Sequence, residues 1–447
     1  MVNRLKVTII GAGSASFGPI SQADLYLNTL SNGGTLGLVD LDQQALDRAT
    51  RLSRVLSDYH GAGVEVVAST DRNDVLAGSD VVMIAAETNR ISSWRKDWQI
   101  PQDFGIAHTL GENRGPAGLS HTLRTVPLVL DMCRDIERLC PKALVLIMTN
   151  PEDRIAYAVN TYANIQAYGF CDGLWDFKHK HFEPLMGIKG DDLYLEGYGI
   201  NHAVWITEMR QLSSGENLYD KFVQKARKSN FEPFGLHLYE QFGLWPHEND
   251  EHYGEYFSNA CEFINCKGYD FDGHLSEQGQ WESAADRVLD GTNPVETFWN
   301  EACETMWDVF GDSPPSAFIA GVKGTHPQFI QNVNVANNGI IDGLPDDMIV
   351  EVPGVAAPSG LHGMKGKALP FAITSFLARE GAIQRLSAEA AYEGSREKAL
   401  LALELDSHVT STALANRLLD AFIEAHYEIL PQKQRDSLGT RSNRIAT

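Results

Sequence analysis

The sequence has no apolar run approaching the roughly 20 residues needed to span a bilayer. Basic residues are in deficit, 37 Lys and Arg against 59 Asp and Glu, which gives a formal net charge of −22. An excess of that sign argues against nucleic acid or an anionic membrane surface as partner. Cysteine is scarce, six in 447 residues, and Cys133, Cys140, Cys171, Cys261, Cys266 and Cys303 show no pattern of a disulfide framework. No secretory signal is read, because Met1–Lys6 runs directly into the short strand-like Val7–Ile10. These absences point to a cytoplasmic protein whose thiols stay reduced and available as metal ligands. Repeats, low-complexity tracts and flexible linkers are lacking too, so two domains are expected to pack directly on each other.

What is present, in the first half, is alternation. Val7–Ile10, Thr35–Val39, Val64–Ala68, Asp80–Ala85 and Ala143–Met148 are short, β-branched and continuously apolar, with helical periodicity between them at Gln43–Tyr59 and Leu128–Leu139. That pattern predicts an α/β fold with a Rossmann-type, doubly wound parallel sheet. Further strands are expected at Ala167–Phe170, Leu193–Ile200 and Val204–Gln211. From about Gly215 to Trp281 the chain is rich in Tyr, Phe, Trp, His and Gly and reads as an irregular binding or lid segment. Asn337–Val355 reads as a hairpin turning at Asn338-Gly339 and Asp342-Gly343, and residues 368–430 as helices. The expected division is a Rossmann-type domain over 1–197 and a tightly packed α+β domain over 198–447, helical toward its end.

Gly11-Ala-Gly13-Ser-Ala-Ser16-Phe-Gly18 follows the first strand and opens a helix. Small residues there permit a tight turn and close approach of main chain to a pyrophosphate, whose charge the helix N-terminus favours. Ser16 occupies the third fingerprint position in place of glycine. Asp40 ends the second strand, placed to accept from ribose hydroxyls, and an acid there disfavours a 2′-phosphate. The expected cofactor is NAD, bound by Gly11, Gly13, Ser14, Ser16, Phe17, Asp40 and Asn150. The bland alternative is a glycine turn without a ligand.

Several segments, in order, carry a resemblance to glycoside hydrolase family 4, within the lactate/malate dehydrogenase-like superfamily. They are Gly11 to Phe17, Gly111-Glu-Asn-Arg-Gly-Pro-Ala-Gly118 with Leu123-Arg-Thr-Val-Pro127, Thr149-Asn-Pro151, Gly169-Phe-Cys-Asp-Gly173, Gly199-Ile-Asn-His-Ala-Val-Trp205, Glu251-His-Tyr-Gly-Glu-Tyr256 and Val350-Glu-Val-Pro353. The resemblance implies a glycosidase that uses NAD and a divalent metal, usually manganese. Cys171 and His202 match its metal ligands, each at the C-terminal end of an expected strand, where open α/β sheets place ligands. By residue type alone they would read as a buried thiol and a hydrogen-bonded imidazole. Asp172 matches a general acid and Tyr256 the base that removes a sugar C2 proton, with Tyr253 the runner-up. An unperturbed tyrosine, with a pKa near 10, is a poor base at neutral pH. Glu112, Asn113, Asn150 and Asn201 resemble residues around the substrate, and Arg95 and Arg124 read as binders of hydroxyls or carboxylates.

His247-Glu-Asn-Asp-Glu-His252 mimics a zinc-protease motif, but its histidines are five apart and would not share a helix face. His179-Lys-His181 reads as a surface helix. The Gly243–His252 stretch resembles that of α-galactosidases and uronidases, so the expected substrate is an unphosphorylated α-hexoside or α-uronide. The alternatives are a 6-phospho-α-glucosidase of the same family and an NAD-dependent sugar or 2-hydroxyacid dehydrogenase. A homo-oligomer, dimer or tetramer, is expected.

Overall fold

The structure is a computed structural model that describes residues 4–171, 173–305 and 314–438. Its strands are β1 (Lys6–Ile10), β2 (Gly34–Val39), β3 (Val64–Ser69), β4 (Val81–Ile84), β5 (Leu144–Ile147), β6 (Ala167–Gly169), β7 (Leu193–Ile200), β8 (Ala203–Gln211), β9 (Trp245–Pro246), β10 (Gln328–Ala336), β11 (Ile349–Ala357) and β12 (Gly360–Gly363). They form one 12-stranded sheet in the order β3-β2-β1-β4-β5-β6-β10-β11-β7-β8-β9, with β12 on β11. The first six are parallel in the doubly wound order. The rest join them antiparallel.

Alternation along each strand explains the layers. On β4, Val81 and Met83 face one apolar core while Val82 and Ile84 face the other. Leu46, Leu52 and Leu56 of the helix Gln43–His60 close the first face. Leu119, Leu123, Val126 and Val129 of the helix Gly115–Leu139 close the second. A sheet covered on both faces needs continuously apolar strands, which is why β1, β2, β4 and β5 read as such.

One thin seam joins the antiparallel half to the parallel one, and a second divides the antiparallel half itself. β6 pairs with β10 at Gly169 and Asn334, and β11 pairs with β7 at Gly199 and Glu351. Cys171 follows the first seam by two residues. Asn201-His202 is the two-residue turn between β7 and β8, where Ile200 pairs with Ala203.

Three expectations need correction. The segment 215–281 is largely ordered, with helices at Tyr219–Ser229, Pro233–Phe242 and Phe271–Gln278. Its aromatic density hid an ordinary buried stripe, such as Phe222, Val223 and Ala226. The hairpin exists, but its first strand lies upstream at β10, and 337–348 is a loop tied together by the Asn337 side chain. Cys261 and Cys266 form a disulfide, while Cys133, Cys140 and Cys171 are not disulfide-bonded. A bridge only five residues apart leaves no framework spacing to detect. Among the described residues, no helix is long and apolar enough to cross a membrane.

Candidate active site

The glycine turn shapes the floor of a cleft of about 1480 Å³. Gly11 has φ +89°, and a side chain there would collide with the Ala85 carbonyl of β4's extension. Gly13 N donates to Asp40 Oδ2 at 2.8 Å, and Asp42 N donates to Asp40 Oδ1 at 2.9 Å. Asp40 therefore holds the turn as well as facing the cleft. The close packing of helix on strand that the sequence sought at Ser16 falls at Gly18, where a Cβ would lie 2.5 Å from the Ala12 carbonyl oxygen. Ser14, Ser16, Phe17 and Asn150 also line the cleft. Its outer wall is the segment bearing Leu275, Gly279 and Glu282, bridged to the inner wall by the ion pairs Arg48–Glu282 and Arg95–Asp272. Arg95 thus stands on the cleft wall, with half its side chain exposed.

The metal-ligand candidates meet across the seams. Cys171, His202 and Glu248 are all buried, and one ligand atom from each lies within 4.8 Å of the others. A thiolate, an imidazole and a carboxylate suit a borderline divalent ion and leave positions for substrate oxygens. Gly173 packs directly beside them, and a Cβ there would displace the Glu248 carboxylate. His202 sits at φ +63°, a left-handed conformation that costs a non-glycine residue on the order of 1–3 kcal/mol and clusters at functional sites. The Asn113 side-chain amide lies 3.1 Å from His202 Nδ1 and orients the ring.

Glu248 is the residue that sequence reasoning missed. The stretch 247–252 is no protease helix, because only Asp250–Tyr253 is helical. Yet Glu248 joins the cluster, flanked by His247 at 3.4 Å and His252 at 3.8 Å, and the His252 ring packs edge-on against His202 at 4.8 Å. Burial works against ionisation of Glu248, but His252 and His247 hold its carboxyl well below the usual range. Burial lowers the His202 pKa, which favours the neutral, ligating form.

Glu112 and Asn113 adjoin this cluster. Burial pushes the Glu112 carboxyl up, but the Arg90 guanidinium at 2.7 Å overrides it and brings the pKa down to about 2. Arg90 also lines the cleft, so it joins cofactor floor to pocket. The Glu255 carboxylate accepts from the main-chain N–H of Glu112 and of Asn113. Burial, aided by the Glu112 charge, pushes the Glu255 pKa up to about 8.

Tyr256 is fully enclosed and its hydroxyl donates to the Asn201 carbonyl at 2.5 Å. Burial raises its pKa, opposed chiefly by Arg114, whose guanidinium lies 5.2 Å from the ring centroid and is paired with Asp153. Tyr253 instead donates to the Val204 carbonyl at 2.8 Å. Asp172 lies outside the described residues. Arg124 is a correction: it does not line the cleft but is buried between Glu87 at 2.7 Å and Asp97 at 2.6 Å, and Asp97 ties on to His426. The His179-Lys-His181 stretch is helical, and its histidines pair with Glu183, Asp191 and Glu232.

Fold and site together define an α/β enzyme with a dinucleotide-type cleft that leads to a buried cluster of metal-ligating side chains. Residues 6–186 match the family 4 glycosyl hydrolases and residues 197–409 match the C-terminal domain of that family, so the chain belongs to the family 4 glycosyl hydrolases. It is 27% identical over 444 residues to an alpha-glucosidase of Erwinia rhapontici, covering 94% of this chain and 97% of that protein. It is 27% identical over 445 residues to an alpha-galactosidase of Bacillus subtilis, covering 96% and 99%. A crystal structure of a 6-phospho-alpha-glucosidase from gut microorganisms, in complex with NAD and Mn2+, superposes with a TM-score of 0.80 at 20% identity, covering 96% of this chain and 99% of that one.

Proposed function

We propose that this chain hydrolyses unphosphorylated α-hexosides or α-uronides, with NAD in the cleft and a divalent cation, Mn2+ by preference, held by Cys171, His202 and Glu248. The observation that carries this reading is the convergence of those three ligands beside a cleft with a dinucleotide turn. The α preference and the unphosphorylated sugar are supported by the α-glucosidase and α-galactosidase relatives. NAD held in the cleft by Gly11, Gly13, Ser14 and Asp40 would supply reversible hydride transfer at C3 of the sugar, and a cation held by Cys171, His202 and Glu248 would supply Lewis acidity toward sugar oxygens.

The chain's own groups do the rest. Asp40 faces the ribose hydroxyls and its charge repels a 2′-phosphate, so NAD is preferred to NADP. Asn150, Arg95, Glu112, Asn113 and Asn201 orient the sugar and cofactor around the seam. Tyr256 removes the proton from C2; burial raises its pKa, and Arg114 opposes that rise only in part. Asp172 protonates the departing glycosidic oxygen, after which water adds at C1 and a proton returns to C2, so that the sum is hydrolysis. Such a route differs from the two-carboxylate scheme of most glycosidases. The Cys171 thiolate must stay unoxidised to serve. Residues 1–197 act as the cofactor half and 198–447 as the substrate half.

A panel of aryl α- and β-glucosides, galactosides and galacturonides, with and without 6-phosphates, tests the reading. Hydrolysis of unphosphorylated α-substrates should need both NAD+ and Mn2+, with no net NADH. Turnover confined to 6-phosphates overturns the sugar assignment. Stoichiometric NADH release identifies a dehydrogenase instead.

A further inference from the structure

We propose that Glu351 is the positioning residue of the metal centre, a single buried carboxylate that fixes the main-chain carriers of both Cys171 and His202. This rests on the metal reading above and extends it to a residue outside the ligand set. Glu351 is fully buried on β11, the strand between β10 and β7, in register with Asn334 on one side and Gly199 on the other. From that strand one side chain reaches both seams.

The first arm runs to Cys171. Asn332 Nδ2 donates to Glu351 Oε1 at 2.8 Å and also to the Cys171 carbonyl at 3.1 Å. The second arm runs to His202. Asn201 Nδ2 faces Glu351 Oε2 at 3.4 Å, a long contact, and Asn201 directly precedes His202. The left-handed backbone at His202 persists only where its surroundings over-determine it, and Asn201 is gripped on its side chain by Glu351 and, at the same 3.4 Å, by Glu152, and on its carbonyl by Tyr256. A carboxylate is costly to bury unless hydrogen bonds or charge compensate it; these two arms do so together with His247 and a long contact from Asn334 Nδ2 at 3.5 Å. Groups that orient ligands in this way typically contribute 10–100-fold to metal affinity.

The test is Mn2+ titration of metal-free, full-length protein, with NAD+ affinity and thermal unfolding measured alongside. Glu351→Gln puts an amide N–H against the asparagine donors on one side of the carboxylate, so the Mn2+ Kd should rise about 10–100-fold. NAD+ Kd should stay within twofold, and unfolding should remain cooperative. Asn332→Ala cuts the Cys171 arm alone and should raise the Mn2+ Kd by about tenfold. With Co2+ in place of Mn2+, both variants should weaken the thiolate-to-metal charge-transfer band. A Glu351→Gln protein that binds Mn2+ within twofold of wild type overturns the proposal, as does parallel loss of NAD+ and Mn2+ affinity. If Glu351→Gln does not fold, an unchanged Mn2+ Kd in Asn332→Ala overturns it. Wild-type protein that binds no Mn2+ would instead overturn the metal reading itself.

Discussion

The cofactor cleft is shaped by main chain, whereas the pocket beside it is shaped by buried side chains. In the cleft, Gly11, Gly13 and Gly18 are needed because backbone passes close to backbone or to Asp40, and the functional groups facing the ligand are largely amides and a helix end. In the pocket, the working groups come from at least five separate segments, around Asn113, Cys171, His202, Glu248 and Tyr256, and none of these segments is regular at that point. The comparison teaches that one half is specified by where side chains are absent, and the other by which side chains survive burial. Arg90 is the shared part, since it lines the cleft and pairs with Glu112. Substitutions should therefore split cleanly into those that lose NAD and those that lose metal.

The largest effect is expected from Cys171→Ser. A hydroxyl is a far poorer ligand than a thiolate, so loss of Mn2+ affinity should exceed the 10–100-fold typical of outer-shell groups, with NAD+ affinity unchanged. Titration of both ligands checks this, and equal loss of both would erase the division. Gly11→Ala is its mirror. The left-handed backbone and the Ala85 carbonyl leave no room for a methyl group, so NAD+ affinity should fall at least tenfold and stability by on the order of 1–3 kcal/mol, with Mn2+ binding intact. Calorimetry with each ligand reads both outcomes.

Asp40→Ser should act within the cleft alone. Removing the carboxylate should narrow the NAD+ over NADP+ preference in Kd by about tenfold, equivalent to about 1.4 kcal/mol. An unchanged preference would remove Asp40 from cofactor selection. The smallest effect should come from Glu255→Gln in metal-free protein. Because burial raises the folded pKa of Glu255 to about 8, the folded state binds more protons than the unfolded state between about pH 4.5 and 8. Its favourable contribution is therefore complete below about pH 4.5 and lost as pH rises through 8. Wild-type Tm should fall more steeply than that of Glu255→Gln across this window, and identical slopes would contradict the assignment.

The same division explains what could be read in advance. The parallel sheet and the cleft were legible because short continuous apolar runs and a glycine turn are local signals. The disposition of Cys171 and His202 was legible only through the order of segments shared with a family. Glu248 was hidden because its local stretch resembles a motif with the wrong spacing, and the spacing test says nothing about a lone carboxylate brought in from a loop. Arg124 was misread because an arginine inside a helix looks alike in sequence whether it meets substrate or closes a buried network with Glu87 and Asp97. The antiparallel extension carrying Glu351 depends on pairing partners more than a hundred residues apart, such as Glu351 with Gly199. The Cys261–Cys266 bridge spans too few residues to leave a spacing pattern.

The central claim is that cleft and pocket act on one sugar, so that the C2–H bond breaks during hydrolysis. Turnover of an α-glycoside in D2O tests it most directly, with the released sugar examined for isotope at C2. The account predicts deuterium at C2, because a base that exchanges with solvent removes and returns that proton, and Tyr256→Phe should suppress both incorporation and turnover. A released sugar that carries only hydrogen at C2 would contradict the account, even if NAD+ and Mn2+ both proved essential.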